Sequence, residues 1–557
     1  MAEQFDYIVV GAGSAGCVIA NRLSEDKHAR VLVLEAGPVD KNLFIHIPAG
    51  FYDVFGNAAL HWPYESEPEP QLNGRRMGQQ RGKVLGGSSS VNAMAYVRGH
   101  PLDYENWVST GAKGWSYADV LPYFRKCETY ERGGDAYRGD SGPLGVQYGS
   151  NSSPLFEAFI QAGVEAGYPR REDPNGYQQE GFGPTNSTVW KGRRTNTARA
   201  FLHPVAGRSN LEIRTESTVL RIAMEQGRAR GIELERAGQR SRVDARAEIV
   251  LCGGAINSPQ LLMLSGIGPG TELQNLGLSV ECDLPGVGAN LMDHLCLDMY
   301  WECLAPVSVQ PYVRWPGRWI AGLQWLLFKT GAAATTHFEA NAFIRSKPGV
   351  EHPDIQVGLL PAAVLPEDLP VCPVRHGFST HIGQLRPLSR GRLWLHSANP
   401  HDPPKFLFNY LDCEEDWDGL RTTVQLTRQI FQQPAFDAYR GRELFPGAEV
   451  TTDDEIDALI RERAATNFHA SGTCRMGVDD MAVVDPEGRV HGVGGLRVAD
   501  ASLMPQITSG NTNAPTIMIG EKVADHIRGK LEPPSNTDFY RNETWRETQR
   551  DGKPLRC

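Results

Sequence analysis

The stretch Phe5 to Asp26, FDYIVVGAGSAGCVIANRLSED, constrains this chain more than any other. Ile8, Val9 and Val10 are β-branched, as a buried parallel strand prefers. Gly11, Gly13 and Gly16 follow as G-x-G-x-x-G, and Ala15, Val18, Ile19 and Leu23 recur at helical spacing. The first glycine turns the chain, the second lets backbone approach a pyrophosphate, and the third lets helix pack on strand. The pyrophosphate rests on N–H groups at the positive end of that helix, where Ser14 and Ala15 stand. A second strand, Arg30-Val-Leu-Val-Leu, ends in Glu35, about 20 residues past the last glycine, where a ribose hydroxyl needs an acceptor. A dinucleotide site in a strand–helix–strand unit is therefore expected; the motif alone does not separate FAD from NAD.

A chain of 557 residues predicts two to four folding units. With 41% hydrophobic and 22% charged residues it has the balance of a globular protein. The formal net charge of −10 gives no overall field for phosphate backbones, so no nucleic-acid partner is expected. No apolar run approaches the ~20 residues that cross a bilayer. The first strand begins close to Met1, so no signal peptide is expected; the expectation is a cytoplasmic protein, with peripheral membrane contact left open. Ten scattered cysteines without a C-x-x-C pair read as buried, reduced thiols. No H-E-x-x-H or similar spacing appears, and no metal is expected. Ala12-Gly-Ser-Ala-Gly approximates a hydrolase nucleophile elbow, but the first glycine is missing and the spacing serves the dinucleotide turn better.

Four further segments carry chemistry. RGKVLGGSSSVN, Arg81 to Asn92, followed by Ala93, Met94 and Ala95, offers small side chains and many N–H donors to a flat ring and phosphates. In Glu248 to Gly268 a buried strand and a Cys-Gly-Gly-Ala turn lead into a helix, with Ser258 as N-cap and Pro259 at its first position. The third is LPGVGANLMDHL, Leu284 to Leu295, and the fourth LRVADASLMPQITSGNTNAPTIMIGEKVADHI, Leu496 to Ile527. Together these resemble the glucose–methanol–choline (GMC) oxidoreductases over nearly the whole chain, with the choline-oxidising members most similar. The resemblance implies an α/β fold of the p-hydroxybenzoate-hydroxylase-like type: a Rossmann-like FAD-binding domain and a substrate domain on an antiparallel sheet. It carries over as FAD contacts Gly11, Gly13, Ser14, Ala15, Glu35, Ala36, Trp62, Arg81, Gly86, Gly87, Asn92, Ala93, Met94, Ala95, Ala255, Asp500, Ala501 and Asn513, with Val219 near the adenine. Some relatives bind FAD covalently through a histidine just before the asparagine equivalent to Asn92; Val91 stands there, so non-covalent FAD is expected.

Oxidation of an alcohol needs a base for the hydroxyl proton and an acceptor for the hydride. Fifteen histidines offer no choice by composition. The resemblance singles out His469, in NFHASGTCRMG, and Asn511 in SGNTN as the catalytic pair acting on a small primary alcohol, with electrons passing on to a quinone, another carrier or oxygen. A helix starting near Asn513-Ala514-Pro515, with Asn513 as cap, is expected to aim its positive end at the cofactor.

Cofactor segments at both ends and in the middle predict discontinuous domains: 1–157, 203–305 and 470–535 for FAD, 158–202 and 306–469 for substrate, and a poorly ordered tail over 536–557. The runs FEANAFIRS, PDIQVGLL, FSTHIGQLRP and GRLWLHS read as strands of the substrate domain. Phe338, Glu339 and Phe468, with Trp62, are candidates for an aromatic or acidic box around a quaternary ammonium. Two features point elsewhere: Gly358 stands where choline-oxidising relatives have a histidine, and NLFIHIPAGF is closer to relatives acting on aliphatic or aromatic primary alcohols. The other class to weigh is the lyase, since hydroxynitrile lyases share this fold and keep FAD without redox turnover; a light-driven decarboxylase is a third reading.

Overall fold

The computed structural model describes residues 3–149, 153–365, 374–552 and 555–556. Its architecture is α/β, built on two seven-stranded sheets. The first runs, in spatial order, Leu211–Arg214, Val31–Leu34, Glu3–Val10, Gln239–Leu251, Arg228–Arg236 and Ser217–Glu225, with Leu496–Val498 also on Gln239–Leu251. Its central pairs are parallel and the Gln239–Leu251 end continues antiparallel. Val31–Leu34 is buried at all four positions, as a parallel strand covered on both faces must be.

The Ser14–Leu23 helix lies between this sheet and the last helix, Asn513–Arg528. A Cβ at Gly520 would stand 2.9 Å from Ala15 Cα, so glycine there lets the two helices meet backbone to backbone. Their amino-terminal ends, 499 residues apart, are joined by Ser14 Oγ donating to Asn513 Oδ1 at 2.7 Å.

The second sheet is antiparallel: Arg440–Phe445, Leu295–Cys303, Gly377–Gln384, Ile355–Leu360, Ala340–Ile344 and Gly181–Pro184, with Ala465–Thr466 on Leu295–Cys303. Three of the four strand-like runs lie side by side here; the fourth, Arg392–Trp394, pairs with Lys405–Leu407 in a separate ribbon.

Several expectations need correction. The boundary at 157/158 falls inside the helix Pro154–Glu165, and the one at 305/306 lies too late, because Leu295–Cys303 is a strand of the second sheet. No turn residue separates that strand from the Leu284–Leu295 segment, so nothing local marks the change of sheet. The tail expected to be poorly ordered is packed over its described residues. Arg345, almost wholly buried, donates to Thr548 O and Gln549 O at 2.7 and 2.8 Å, and Phe539 meets Tyr117 edge-on at 5.4 Å. Backbone carbonyls meeting a buried guanidinium order the tail without the apolar content that a sequence reading looks for. Eight described cysteines are unpaired; Cys282 and Cys413 are half-buried rather than buried, and Cys372 and Cys557 lie outside the described residues.

Candidate active site

Between the two sheets runs a cavity of about 970 Å³. The glycine turn, Glu35, Ala36 and Val219 line one end; His469, Asn511 and strands of the second sheet line the other.

The three glycines of the turn differ in what requires them. Gly11 has φ +98°, and a Cβ there would stand 2.6 Å from Cys252 O. At Gly16 a Cβ would stand 1.9 Å from Gly11 O, so helix and turn could not close. Gly13 has φ −83° and no protein atom nearer than 3.9 Å to a Cβ position. Neither backbone nor packing demands glycine at 13; only the cavity it borders would be filled by a side chain. That is the cradle a pyrophosphate requires, with the ends of two helices beside it. Glu35 is buried, with Oε2 accepting from Ala12 N and Oε1 from Gly37 N, both at 2.9 Å. Burial pushes its carboxyl up to about 7 against those two N–H groups.

Every FAD contact expected above borders this cavity except Gly86. Gly86, φ +90°, instead turns the chain behind Gly87, and its carbonyl accepts from Ser89 Oγ. Asn92 is held from behind: Arg194 Nη1 donates to its backbone carbonyl and to Oδ1 at 2.7 and 2.8 Å. Two capping expectations are revised. The second glycine helix is Gly254–Leu264 with Gly253 as its cap, so Ser258 and Pro259 lie within it. Ser258 Oγ donates to Asp500 Oδ2 at 2.6 Å, and Gly254 N donates to the same oxygen. Pro259 has no N–H to offer Ala255 O, and Thr473 Oγ1 donates to that carbonyl at 2.7 Å instead. The last helix is preceded by Thr512, and Asn513 is its first residue, its side chain turned to Ser14. A sequence pattern places a cap within a residue or so; the tertiary partner decides.

At the far end, Asn511 Nδ2 and His469 Nε2 are 3.3 Å apart. Gln356 Nε2, on the second sheet, donates to Asn511 Oδ1 at 3.5 Å, which turns the amide nitrogen toward the histidine. His469 sits on a strained loop: Phe468 before it has φ +60°, rare for an aromatic residue. The loop is pinned by the buried carboxylate of Asp293, which accepts from His469 N at 2.7 Å, Tyr410 OH at 2.6 Å, Gln79 Nε2 at 3.0 Å and the Thr466 hydroxyl.

His294 is the functional residue that sequence reasoning missed. Its Nδ1 lies 2.9 Å from His469 Nδ1, and its Nε2 lies 2.8 Å from Leu385 O. A carbonyl only accepts, so His294 carries its proton on Nε2 and leaves Nδ1 bare. His469 must then donate from Nδ1, which leaves its Nε2 unprotonated and facing Asn511 and the cavity. The only trace in the sequence is Asp293-His294 inside the Leu284–Leu295 segment, next to the acid that holds His469. Burial pushes the pKa of His469 well below the ordinary histidine value, and His294, Arg81 and His381 push it the same way. Burial lowers His294 to about 4. A neutral base with its lone pair aimed into the cavity is the result.

The remaining wall is largely aromatic. Phe51, Tyr52, Phe55, Phe338 and Phe468 border the cavity, with Phe55 and Phe468 edge-on at 5.1 Å and Phe51 and Phe338 at 6.2 Å. Glu339 does not line it: it lies just before the strand Ala340–Ile344, and Thr335 Oγ1 donates to its carboxylate. Asp298 also borders the cavity, with its carboxylate 2.8 Å from His381 Nδ1. Gly358 also borders the cavity, and a Cβ there would meet nothing closer than His381 O at 3.7 Å.

Comparison with known proteins gives the family and the fold. The GMC oxidoreductase amino- and carboxyl-terminal family models match residues 5–296 and 387–520. The chain is 49% identical to an oxygen-dependent choline dehydrogenase of Pseudomonas fluorescens (strain SBW25), over 100% of this chain and 99% of that one. It is 50% identical to one of Burkholderia vietnamiensis (strain G4 / LMG 22486), covering 97% and 96%. Among solved structures, pyridoxine 4-oxidase from Mesorbium loti superposes with a TM-score of 0.86 at 34% identity, covering 94% of this chain and 99% of that one. Formate oxidase of Aspergillus oryzae RIB40 superposes with a TM-score of 0.89 at 26% identity, covering 95% and 99%. The chain belongs to the GMC oxidoreductase family and is an FAD-dependent alcohol oxidoreductase.

Proposed function

We propose that this protein oxidises a primary alcohol to the aldehyde with His469 as the general base, and that choline or an alcohol of similar size is its substrate. The observation that carries the proposal is the bare Nε2 of His469 beside Asn511 at the end of a cofactor-sized cavity. Bound FAD supplies the acceptor for the hydride that leaves the alcohol carbon. The hydroxyl proton passes to His469 Nε2 while Asn511 Nδ2 donates to the same oxygen and orients it. Gaining that proton makes His469 an imidazolium whose Nδ1 hydrogen bond to His294 is already made, so no side chain has to move. Phe468, Phe338 and their neighbours offer ring faces, and Asp298 a carboxylate, to a quaternary ammonium. FAD is proposed to be dissociable, because Val91 has no nucleophilic atom; acid precipitation should release it into the supernatant.

A second reading has its own observation. Gly358 leaves open space in the wall, which favours a bulkier aliphatic or benzylic alcohol. An anaerobic titration of the holoenzyme's flavin absorbance with choline, and then with a panel of primary alcohols, decides between them. Bleaching by choline supports the first reading, and bleaching only by larger apolar alcohols supports the second. No bleaching by any alcohol would refute both and favour chemistry of the lyase kind. The acceptor, oxygen or a quinone-like carrier, is read by repeating a dye-linked assay with and without oxygen. Replacing His469 with Ala should leave FAD bound and slow flavin reduction by ~100-fold or more; near-normal reduction would remove it as the base.

A further inference from the structure

Among the described residues, ten of the twenty large apolar side chains that are exposed fall between Leu304 and Phe328. The helix Gly317–Phe328 turns only Ala321 and Trp325 inward, against Ile47 and Ala333. Its solvent face carries Trp319, Ile320, Leu323 and Leu327 at 58–74% exposure, with Trp315 before it and Phe328 at its end. This reverses the pattern of a surface helix, whose outward stripe is ordinarily polar. At 12 residues the helix is too short to cross a bilayer, and no helix among the described residues is long and apolar enough to do so.

The charges within the segment that forms this face have one sign. From Cys303 to Phe338 the sequence contains no Asp or Glu, in a chain with 66 of them, yet it carries Arg314, Arg318 and Lys329. Lys191 adds a fourth cation, next to Gly192, whose carbonyl accepts from Trp325 Nε1 at 2.6 Å. Of these four cations only Arg318 has an acidic partner among the described residues, Asp53. That ion pair fastens the helix to Phe51–Phe55, which borders the cavity and exposes Tyr52 and Phe55 at 51% and 42%.

We propose that this face is a membrane-docking surface: Trp, Leu and Phe side chains enter the interfacial layer of a bilayer, and the basic rim meets anionic lipid headgroups. A second copy of the chain fits less well, because a two-fold contact would set the same cationic rim against itself. Docked in this way, the Phe51–Phe55 wall of the cavity faces the lipid. The proposal is independent of which alcohol is oxidised.

The test is co-sedimentation of the FAD-loaded protein with phosphatidylcholine vesicles, with and without phosphatidylglycerol. The wild-type protein should bind the anionic vesicles, and less so as salt is raised. The triple variant Trp319→Ser/Leu323→Ser/Leu327→Ser should bind them at least about tenfold more weakly, as loss of buried apolar area dictates. Its FAD content and turnover of a soluble alcohol should stay unchanged, since these side chains lie outside the cavity. Arg314→Glu should weaken binding to anionic vesicles and leave binding to neutral ones as it was. The proposal is overturned if the wild-type protein stays in the supernatant with both vesicle types, or if the triple variant binds as the wild type does. It is equally overturned if sedimentation velocity shows a wild-type dimer that the triple variant turns into monomer without any vesicle binding.

Discussion

As the proposed base, His469 must leave Nε2 unprotonated, and its Nδ1 faces His294 Nδ1 at 2.9 Å. Replacing His294 with Leu removes the acceptor for the His469 Nδ1 proton while roughly keeping volume. The His469 ring then loses the acceptor that holds its proton on the side away from the substrate, and only the Asn511 Nδ2 donor at 3.3 Å still favours that tautomer. A buried hydrogen bond left unmade costs about 1–3 kcal/mol. With each 1.36 kcal/mol worth tenfold, the competent tautomer should fall, and flavin reduction slow, by roughly 5- to 160-fold. His294→Asn is the control, because its Oδ1 can stand near the position of Nδ1 and accept the same proton. Both variants lose the bond to Leu385 O, so any general loosening from that loss is common to them. Stopped-flow reduction of the flavin under anaerobic conditions, at saturating alcohol and matched FAD content, reads the difference. The reasoning is refuted if His294→Leu reduces at the wild-type rate, or if Asn and Leu are slowed equally.

Other predictions rest on separate parts of the structure. Gly13→Ala should leave the apoprotein's melting temperature within a degree or so yet sharply weaken FAD binding, because its Cβ comes no nearer than 3.9 Å to protein atoms but fills the cradle; Gly16→Ala should instead destabilise the fold, since its Cβ overlaps Gly11 O. Equal melting losses for the two would contradict the separate roles of these glycines. The rate of flavin reduction should be flat from neutral pH down through 6.5 and fall only below it, because His469 must be neutral and its pKa is held well below 6.5; an acid limb centred near 7 would sink this. Stability should decline over the window from 6.5 to about 4, where the unfolded chain takes up a proton that buried His294 refuses. Below that window this contribution levels off, and denaturant titrations of His294→Asn against wild type across it measure the effect.

Much of this was legible in the chain because the requirements are local. A nucleotide cradle needs a strand, a turn and a helix within some twenty residues, so Gly11, Gly13 and Gly16 announce it, and Glu35 follows at the length of one helix and one strand. The strands at Ala340–Ile344, Ile355–Leu360 and Gly377–Gln384 were visible for the same reason, since alternation is a short-range signal. His469 and Asn511 were legible only through resemblance, because nothing in its own surroundings distinguishes His469 from the fourteen other histidines.

What the tertiary structure alone decided is who stands next to whom. Glu339 and Phe338 are neighbours in the chain, yet Phe338 stands on the cavity wall while the Glu339 carboxylate is held off it by Thr335. Leu295–Cys303 follows a cofactor-side segment without a break and joins the other sheet, since pairing partners are chosen across the fold. The proton on His469 is placed by a histidine 175 residues earlier, itself oriented by a backbone carbonyl 91 residues beyond it. Periodicity and turn chemistry act over a few residues and are written in the sequence. Hydrogen-bond direction at the base depends on contacts that close only when both sheets have folded.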